Sequence, residues 1–569
     1  MTPAEVLAVL GDRLNGLAES AAQGKFAYWA GSGVSRNRVP DVPSLVVRIL
    51  EHLRSRAVAA GGERFKLALE GVLALAVLSP DDEAKVDFNV PAVNWPVIDL
   101  IVEQLKRQYS MMLDVPVNGE GSDYLLWTAA DVCGTYGSPT IRPDVDHYAI
   151  AILILEGVAS IVVTSNWDGL IERAVSELTD RPVEDTLGVV VRAEDLREPP
   201  ARAFLFKFHG CAVLASSDEV AFRNLLVGRE SQISGWVANR QQNGLMSARL
   251  IQIATTMKTL MLGLSGQDSN IKHVFAAAAA DMKWPWPAEP SACMLATPNV
   301  EVNHRTILKN VYNSEYDRGQ GPAIEAASLI GAYSSSTLLA LVIYIICAKL
   351  RALLDDALAQ DYTEDQRAAL CGGLLSLANR LSIALGNGNL DEMNAALEIH
   401  SHFMALFLDG EAQAAVHIRY RPLGMIPVQQ IRNDQFAESA KLRGLAAGLA
   451  LLGLGEERRL WALERPDPND PHSAAIIARS AAGSACRVFM VSTSDAGLKL
   501  LLRGRVSDND DDAIIIYADT LPPSVVRSSS STYGRTGATS PRRVSIAEIV
   551  AGEPSTDLLL QRFRKSSVL

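Results

Sequence analysis

Short apolar runs closed by glycine or polar turns alternate with stretches of helical period over the first part of the chain. Residues 1–22 carry apolar positions at helical spacing, and Lys25–Ala30 then reads as a strand that runs directly into Gly31-Ser32-Gly33-Val34-Ser35. From about 46 to 130 the period is mostly helical, broken by Pro, Asp and Asn at Ser79–Asp82 and Asp114–Asp123, which predicts a helical insertion after the first strand. Further strands are expected at Ala159–Val163, Ala203–Phe206, Leu260–Leu264 and Ala292–Ala296. The alternation predicts the α/β class, with a Rossmann-like doubly wound parallel sheet.

After about residue 320 the pattern changes to long helices, Ala323–Leu354, Glu364–Leu385 and Leu390–Leu408, turned by Gly386-Asn387-Gly388-Asn389. Pro466–Pro471 reads as a linker, and the apolar runs Val488–Val491 and Ala513–Tyr517 predict a small C-terminal α/β domain. The expected division is 1–320 for the first sheet and its insertion, 321–465 for a helical domain and 466–569 for the last. Ser528–Pro541, rich in Ser, Thr and Gly, reads as a mobile loop. Leu338–Ala348, the longest charge-free apolar run, is about eleven residues against the roughly twenty a bilayer requires, and is expected to be a buried helix.

A chain of 569 residues needs more than one core, and its net charge of −12 argues against general affinity for nucleic acid or an anionic membrane. Six cysteines without a C-x-x-C pair support neither a disulfide framework nor a thiolate zinc site, so no metal and a reducing, cytoplasmic setting are expected. Met1–Glu5 has no signal-peptide pattern. Asp508–Asp512 lacks the glycine and distal glutamate of a calcium loop and reads as a solvated turn. Arginines 527, 535, 542, 543, 562 and 564 make the tail basic; salt pairing is its default, with nucleic acid reached only through a partner.

The chemistry-bearing motifs follow strands. Thr164-Ser165-Asn166-Trp167-Asp168 and Phe206-Lys207-Phe208-His209-Gly210 both sit at strand carboxyl ends, where ligands of open α/β sheets bind. Gly31-x-Gly33 after a strand is a phosphate-loop pattern, but the third glycine and an acidic ribose partner are missing, which disfavours a hydride-transfer dehydrogenase. Taken singly, Asn166 and Asp168 read equally as an Asx turn and helix cap, His209 as a strand-end histidine, Ser265–Asp268 as a turn, and His147 as structural.

Jointly these motifs resemble the sirtuins. Gly31–Ser35 with Val39-Pro40-Asp41 is similar to their opening motif, Thr164–Asp168 to Thr-x-Asn-Tyr/Trp-Asp, Lys207–Gly210 to Lys-x-His-Gly, and Gly263–Asp268 to Gly-x-Ser-x-x-Asp. The resemblance implies NAD+ as substrate with no further cofactor. His209 would be the base, Asn166 would orient water or the nicotinamide ribose, and Asp168 would meet nicotinamide. Gly31, Gly33, Ser35 and Asp41 would serve the phosphate loop, with Ser265 toward adenosine. Val42-Pro43 replaces the Phe-Arg of protein-deacylating sirtuins, and Cys211 is the only cysteine between Asn166 and Ser265, so their four-cysteine zinc module has no counterpart. The likeness is therefore to zinc-less bacterial sirtuin-like proteins. It implies an NAD+ glycohydrolase of anti-phage defence, held in check by C-terminal domains or a partner subunit and expected to form a homo-oligomer. A protein deacylase, an ADP-ribosyltransferase and a non-catalytic NAD-binding sensor or scaffold are the alternatives.

Overall fold

The computed structural model describes all residues except 180, 198–200, 237–238, 359–362, 412–417, 432–438, 468–469, 471, 482, 508, 519–540, 551–554 and 568. Its first sheet has six parallel strands: β1 (Phe26–Ala30), β2 (Ile161–Thr164), β3 (Leu187–Val190), β4 (Ala203–Lys207), β5 (Lys258–Leu262) and β6 (Cys293–Ala296), in the order β3-β4-β2-β1-β5-β6. Every residue of β1 is buried, as an uninterrupted apolar strand covered on both faces must be. The strand order reverses about β1, with β2, β4 and β3 on one side and β5 and β6 on the other. That reversal puts a crevice at the carboxyl ends of β1, β2 and β5.

The insertion between β1 and β2 is helical, from Val42–Ala57 through Val132–Tyr136, around a core of its own that includes Leu50, Leu69, Ile101 and Leu125. The helix Val42–Ala57 starts on Asp41, whose carboxylate accepts from the Ser44 amide at 3.0 Å. β3 is not among the strands expected above: it is a four-residue edge strand with Gly188 inside it.

The helix expected over Ala323–Leu354 is two helices, Gly321–Ser328 and Ser334–Leu358. Between them the chain runs extended along β6, the Ile330 amide donating to the Leu295 carbonyl, and Gly331 turns with φ of +85°. Ser334–Leu358 is the central helix of the molecule. It packs on the helices Pro3–Leu10, Val145–Leu155, Glu364–Ala384 and Ser439–Glu457. By length and composition Ser334–Asp355 could cross a membrane, but 78 % of its apolar window is buried inside the protein, as expected for Leu338–Ala348.

One apolar core runs from Val6 and Leu10 through β1 and the helix Ser334–Leu358 to Phe563 and Leu569. The second sheet borders it, with β7 (Trp461–Glu464), β8 (Ile476–Ser480), β9 (Ala485–Val491), β10 (Ala513–Tyr517) and β11 (Arg542–Ser545) in the order β11-β10-β9-β8-β7. β9, β10 and β11 are parallel, and β7 and β8 pair antiparallel. Of the tail arginines, 527 and 535 lie outside the described residues, as do Asp508 and all of the expected Ser528–Pro541 loop but Pro541. Residues 468, 469 and 471 of the Pro466–Pro471 segment are likewise outside them.

The helix Val145–Leu155 is tied down at both ends. At its carboxyl end Glu156 is fully buried beneath the helical region. The Lys349 ammonium donates to the Glu156 carboxylate, the Glu156 carbonyl and the Gly424 carbonyl, each at 2.6 Å, while Tyr420 Oη at 2.6 Å and the Leu423 amide at 3.2 Å donate to the other carboxylate oxygen. Every polar atom of this pair is thereby answered, which a buried ion pair requires.

Candidate functional site

The glycines after β1 serve close approach. A Cβ on Gly31 would lie 2.7 Å from the Gly263 carbonyl oxygen, and one on Gly33 2.7 Å from Gly263 Cα, so the backbones leaving β1 and β5 touch. The two amides that the sequence pattern aims at a phosphate are engaged within the protein: Gly31 N–H donates to Leu262 and Gly33 N–H to Gly263, both at 2.9 Å. The groups this turn leaves toward the crevice are the side chains of Ser32, Ser35 and Arg36.

A cavity of about 350 Å³ opens there. Gly33, Ser35, Asp41, Asn166, Asp168, His209 and Ser265 all line it, so the fold brings together residues up to 232 positions apart; Gly31 lies beneath. The Asn166 amide donates to the Gly31 carbonyl at 3.1 Å and to Ser35 Oγ at 3.2 Å. The carbonyl contact fixes the orientation of the amide and leaves Asn166 Oδ1 without a role in that anchorage.

His147 is the second donor to Ser35. Its Nδ1 accepts from the Asp144 amide at 3.0 Å, so the ring proton resides on Nε2, which lies 2.9 Å from Ser35 Oγ. Burial lowers the His147 pKa against the pull of Asp168 and Asp144, in keeping with a neutral ring. Ser35 Oγ thus accepts two hydrogen bonds, and its own proton is free to donate into the cavity. His304 repeats the arrangement on the facing loop: Nδ1 accepts from the Glu301 amide at 3.3 Å, and Nε2–H donates to the Leu264 carbonyl at 2.7 Å.

His209 follows β4 and is 5 % exposed. Its Nε2 lies 3.2 Å from Asp268 Oδ2 and 3.2 Å from the Asn270 amide. Asp268 can only accept from Nε2 and the Asn270 N–H₂ can only donate to it, so the two contacts call for opposite tautomers of the ring. Burial lowers the His209 pKa, and Asp268 opposes that shift. Gly210 is required by its backbone: φ is +88°, and a Cβ there would meet the Leu225 carbonyl at 2.6 Å. Asp168 accepts from the Leu170 amide at 3.1 Å, a helix-start contact, and its carbonyl is gripped by the buried Lys207, which also pairs with Glu172 at 2.8 Å. Asp41 is the cap described above. The tight Asn166–Asp168 turn is thus both an Asx-type turn and a wall of the cavity.

Sequence reasoning left several lining groups unassigned. Asp268 stands in the quoted Gly-x-Ser-x-x-Asp element, and the structure sets it against His209. Trp167, Tyr136 and Tyr109 form an aromatic wall, Tyr136 edge-on to Trp167 at 5.3 Å, and burial, with Asp268 and Glu230 adding, pushes the Tyr109 hydroxyl up to about 12. Arg36 lies with its guanidinium 5.4 Å from the Tyr333 ring.

A second cavity of about 320 Å³ adjoins the first, and the two share Gly33, Arg36, Leu264 and Ser265. Its far wall comes from the helical region, Tyr333–Ser335 and Gly388–Leu390. Among the residues lining either cavity, Arg36 is the only lysine or arginine.

Residues 160–316 match the family model of the SIR2-like domain. No curated protein matches the chain. The match begins at the strand that carries Asn166 and Asp168 and runs past His209 and Ser265, while β1 and its glycine turn precede it. The chain therefore contains a sirtuin-like domain, of a class whose members are NAD-dependent enzymes.

Proposed function

We propose that this chain is an NAD+ glycohydrolase, cleaving NAD+ to nicotinamide and ADP-ribose. The observation that carries the reading is the paired cavity: Asn166, Asp168, His209 and the Ser35 hydroxyl donor on one side, a second chamber on the other, and Arg36 at the waist. A dinucleotide fits that layout, with a cationic nicotinamide at one end, an uncharged adenosine at the other and a doubly negative pyrophosphate between them. Cleavage breaks the bond from ribose C1′ to the nicotinamide nitrogen, which keeps the electron pair and leaves as neutral nicotinamide. Water adds to C1′ and gives up a proton, for which the His209 imidazole, beside Asp268, is the acceptor. Asn166 Oδ1 orients the water or the ribose, and Asp168 faces nicotinamide. Water is the only co-reactant.

In the cell the reading is an effector of anti-phage defence that stops an infected cell by depleting NAD+. The helical and C-terminal regions, or a partner subunit, would restrain it. The test is nicotinamide release from NAD+ by the full chain without any protein acceptor, together with NAD+ levels in cells expressing wild type, Asn166→Ala and His209→Ala under phage challenge. Loss of NAD+ that both substitutions abolish supports the hydrolase; turnover that needs an acylated or acceptor protein overturns it in favour of a deacylase or ADP-ribosyltransferase.

A further inference from the structure

The second cavity holds a polar group that the fold does not use. Asp146 lies on the first turn of Val145–Leu155, is 9 % exposed, and lines this cavity. Ser334 hydrogen-bonds its carboxyl, yet Oδ1 has no hydrogen-bond partner. A buried carboxylate oxygen left unanswered carries a desolvation cost that nothing in the fold offsets. The other acidic and polar groups around it are committed or turned outward. Asp144 is bound to the Val145 amide, Asn37 and Arg38; Asn389 caps its helix through the Glu392 amide; His304 is engaged at both nitrogens; Glu301 is exposed. Arg36, at the waist, is the cation in this cavity whose charge reaches Asp146.

An acceptor of this kind suits a donor that arrives with a ligand and carries no negative charge. We propose that Asp146 accepts from a ribose hydroxyl of the adenosine half of the substrate, that the helical region completes this subsite through Ser334 and Ser335, and that a ribose bearing a 2′-phosphate is refused there. The inference rests on the NAD+ reading above, with adenosine in the chamber away from His209. Acidic residues select an unphosphorylated ribose in dinucleotide sites of other folds by the same chemistry, acceptor for hydroxyl and repulsion for phosphate. What is particular to this chain is that the carboxylate comes from the helix bearing His147, and that the opposing wall belongs to the helical region.

The experiment is calorimetric titration of the full chain with ADP-ribose and with its 2′-phosphate derivative. Wild type is expected to bind ADP-ribose at least about 100-fold more tightly than the 2′-phosphate form, because the added phosphate meets a like charge. Asp146→Asn, which is isosteric and removes a buried charge, should reduce that ratio to about tenfold or less. Ser335→Phe, which fills the cavity from the helical side, should weaken ADP-ribose about tenfold or more. Equal binding of the two ligands by wild type, a ratio unmoved by Asp146→Asn, or full affinity in Ser335→Phe would each overturn the proposal while leaving the NAD+ reading in place. Wild type that binds neither ligand removes that reading and this inference together.

Discussion

Replacing Asp146 by asparagine should make the protein more stable, by an amount that grows as pH rises from 4 to about 7. Burial, with Asp144 adding and Ser334 and Arg36 opposing, pushes the Asp146 carboxyl from 3.8 up to about 7. Between those two values the folded state holds a proton that the unfolded chain has released, so stability falls as pH rises through that window and levels off above it. A shift of about three units corresponds to about 4 kcal/mol of charge burden at pH 8. The amide introduced must place its own N–H₂ against the cavity, which returns about 1–2 kcal/mol of that gain. The net expectation is about 2–3 kcal/mol of stabilisation at pH 8, a rise of a few degrees in Tm, shrinking to nothing or reversing at pH 4. Differential scanning calorimetry of wild type and variant at pH 4, 6 and 8 reads this directly. A Tm difference that does not change with pH, or a variant less stable at pH 8, would refute the assignment of Asp146 as a strained buried acid. Coupled with weaker ADP-ribose binding, the stabilised variant would mark Asp146 as kept for ligand rather than for fold.

Other outcomes are as specific. The His209 pKa is lowered from 6.5, so the base stays free into mildly acid solution; the acid limb of kcat/KM for nicotinamide release should lie below pH 6.5, and Asp268→Asn, which removes the opposing charge, should move it lower still while slowing the reaction. Lys349→Met leaves Glu156 charged and buried, and should cost about 3–5 kcal/mol in urea unfolding followed by tryptophan fluorescence, with Glu156→Gln added to it recovering part of the loss. Gly33→Ala forces a Cβ to within 2.7 Å of Gly263 Cα; prying the ends of β1 and β5 apart should cut turnover more than tenfold for about 1–3 kcal/mol of stability, separable by assay at a temperature well below Tm. Ser35→Ala deletes the outward hydroxyl and should lower kcat/KM about 10- to 100-fold if the group it meets is charged, with a smaller loss for a neutral ribose.

What could be read from the chain follows from how locally it is encoded. β1, β2, β4, β5 and β6 announce themselves because strands buried on both faces are continuous apolar runs, and each motif residue follows one of them directly. β3 and β11 are four-residue strands at sheet edges, β3 with a glycine inside it and β11 with two arginines, and β7 and β8 sit in a stretch with no repeated spacing. The break at Leu329–Tyr333 is a tertiary event: the bond from Ile330 to Leu295 outcompetes one more helical turn. The site divides the same way. Asn166, Asp168, His209 and Ser265 belong to local motifs, but the meeting of Asp268 with His209, the placing of Arg36 at a waist and the pointing of His147 at Ser35 each need two loops to be adjacent. His147 read as structural, and structurally it is a strut; its use is visible only once Asp144 fixes which nitrogen bears the proton.

The helix Val145–Leu155 acquires a mechanical meaning from its two attachments. At one end His147 holds Ser35 and Asp146 faces the second cavity; at the other Glu156 is locked to Lys349, Tyr420 and Leu423. Eleven helical residues make a stiff rod of about 16 Å. Neither end can move without pulling on the other, so any displacement of the segment around 420–424 is delivered to Ser35 without passing through solvent or a flexible loop. The first cavity and the C-terminal half of the chain are in this sense geared together, and a displacement in one has a rigid shaft along which to reach the other.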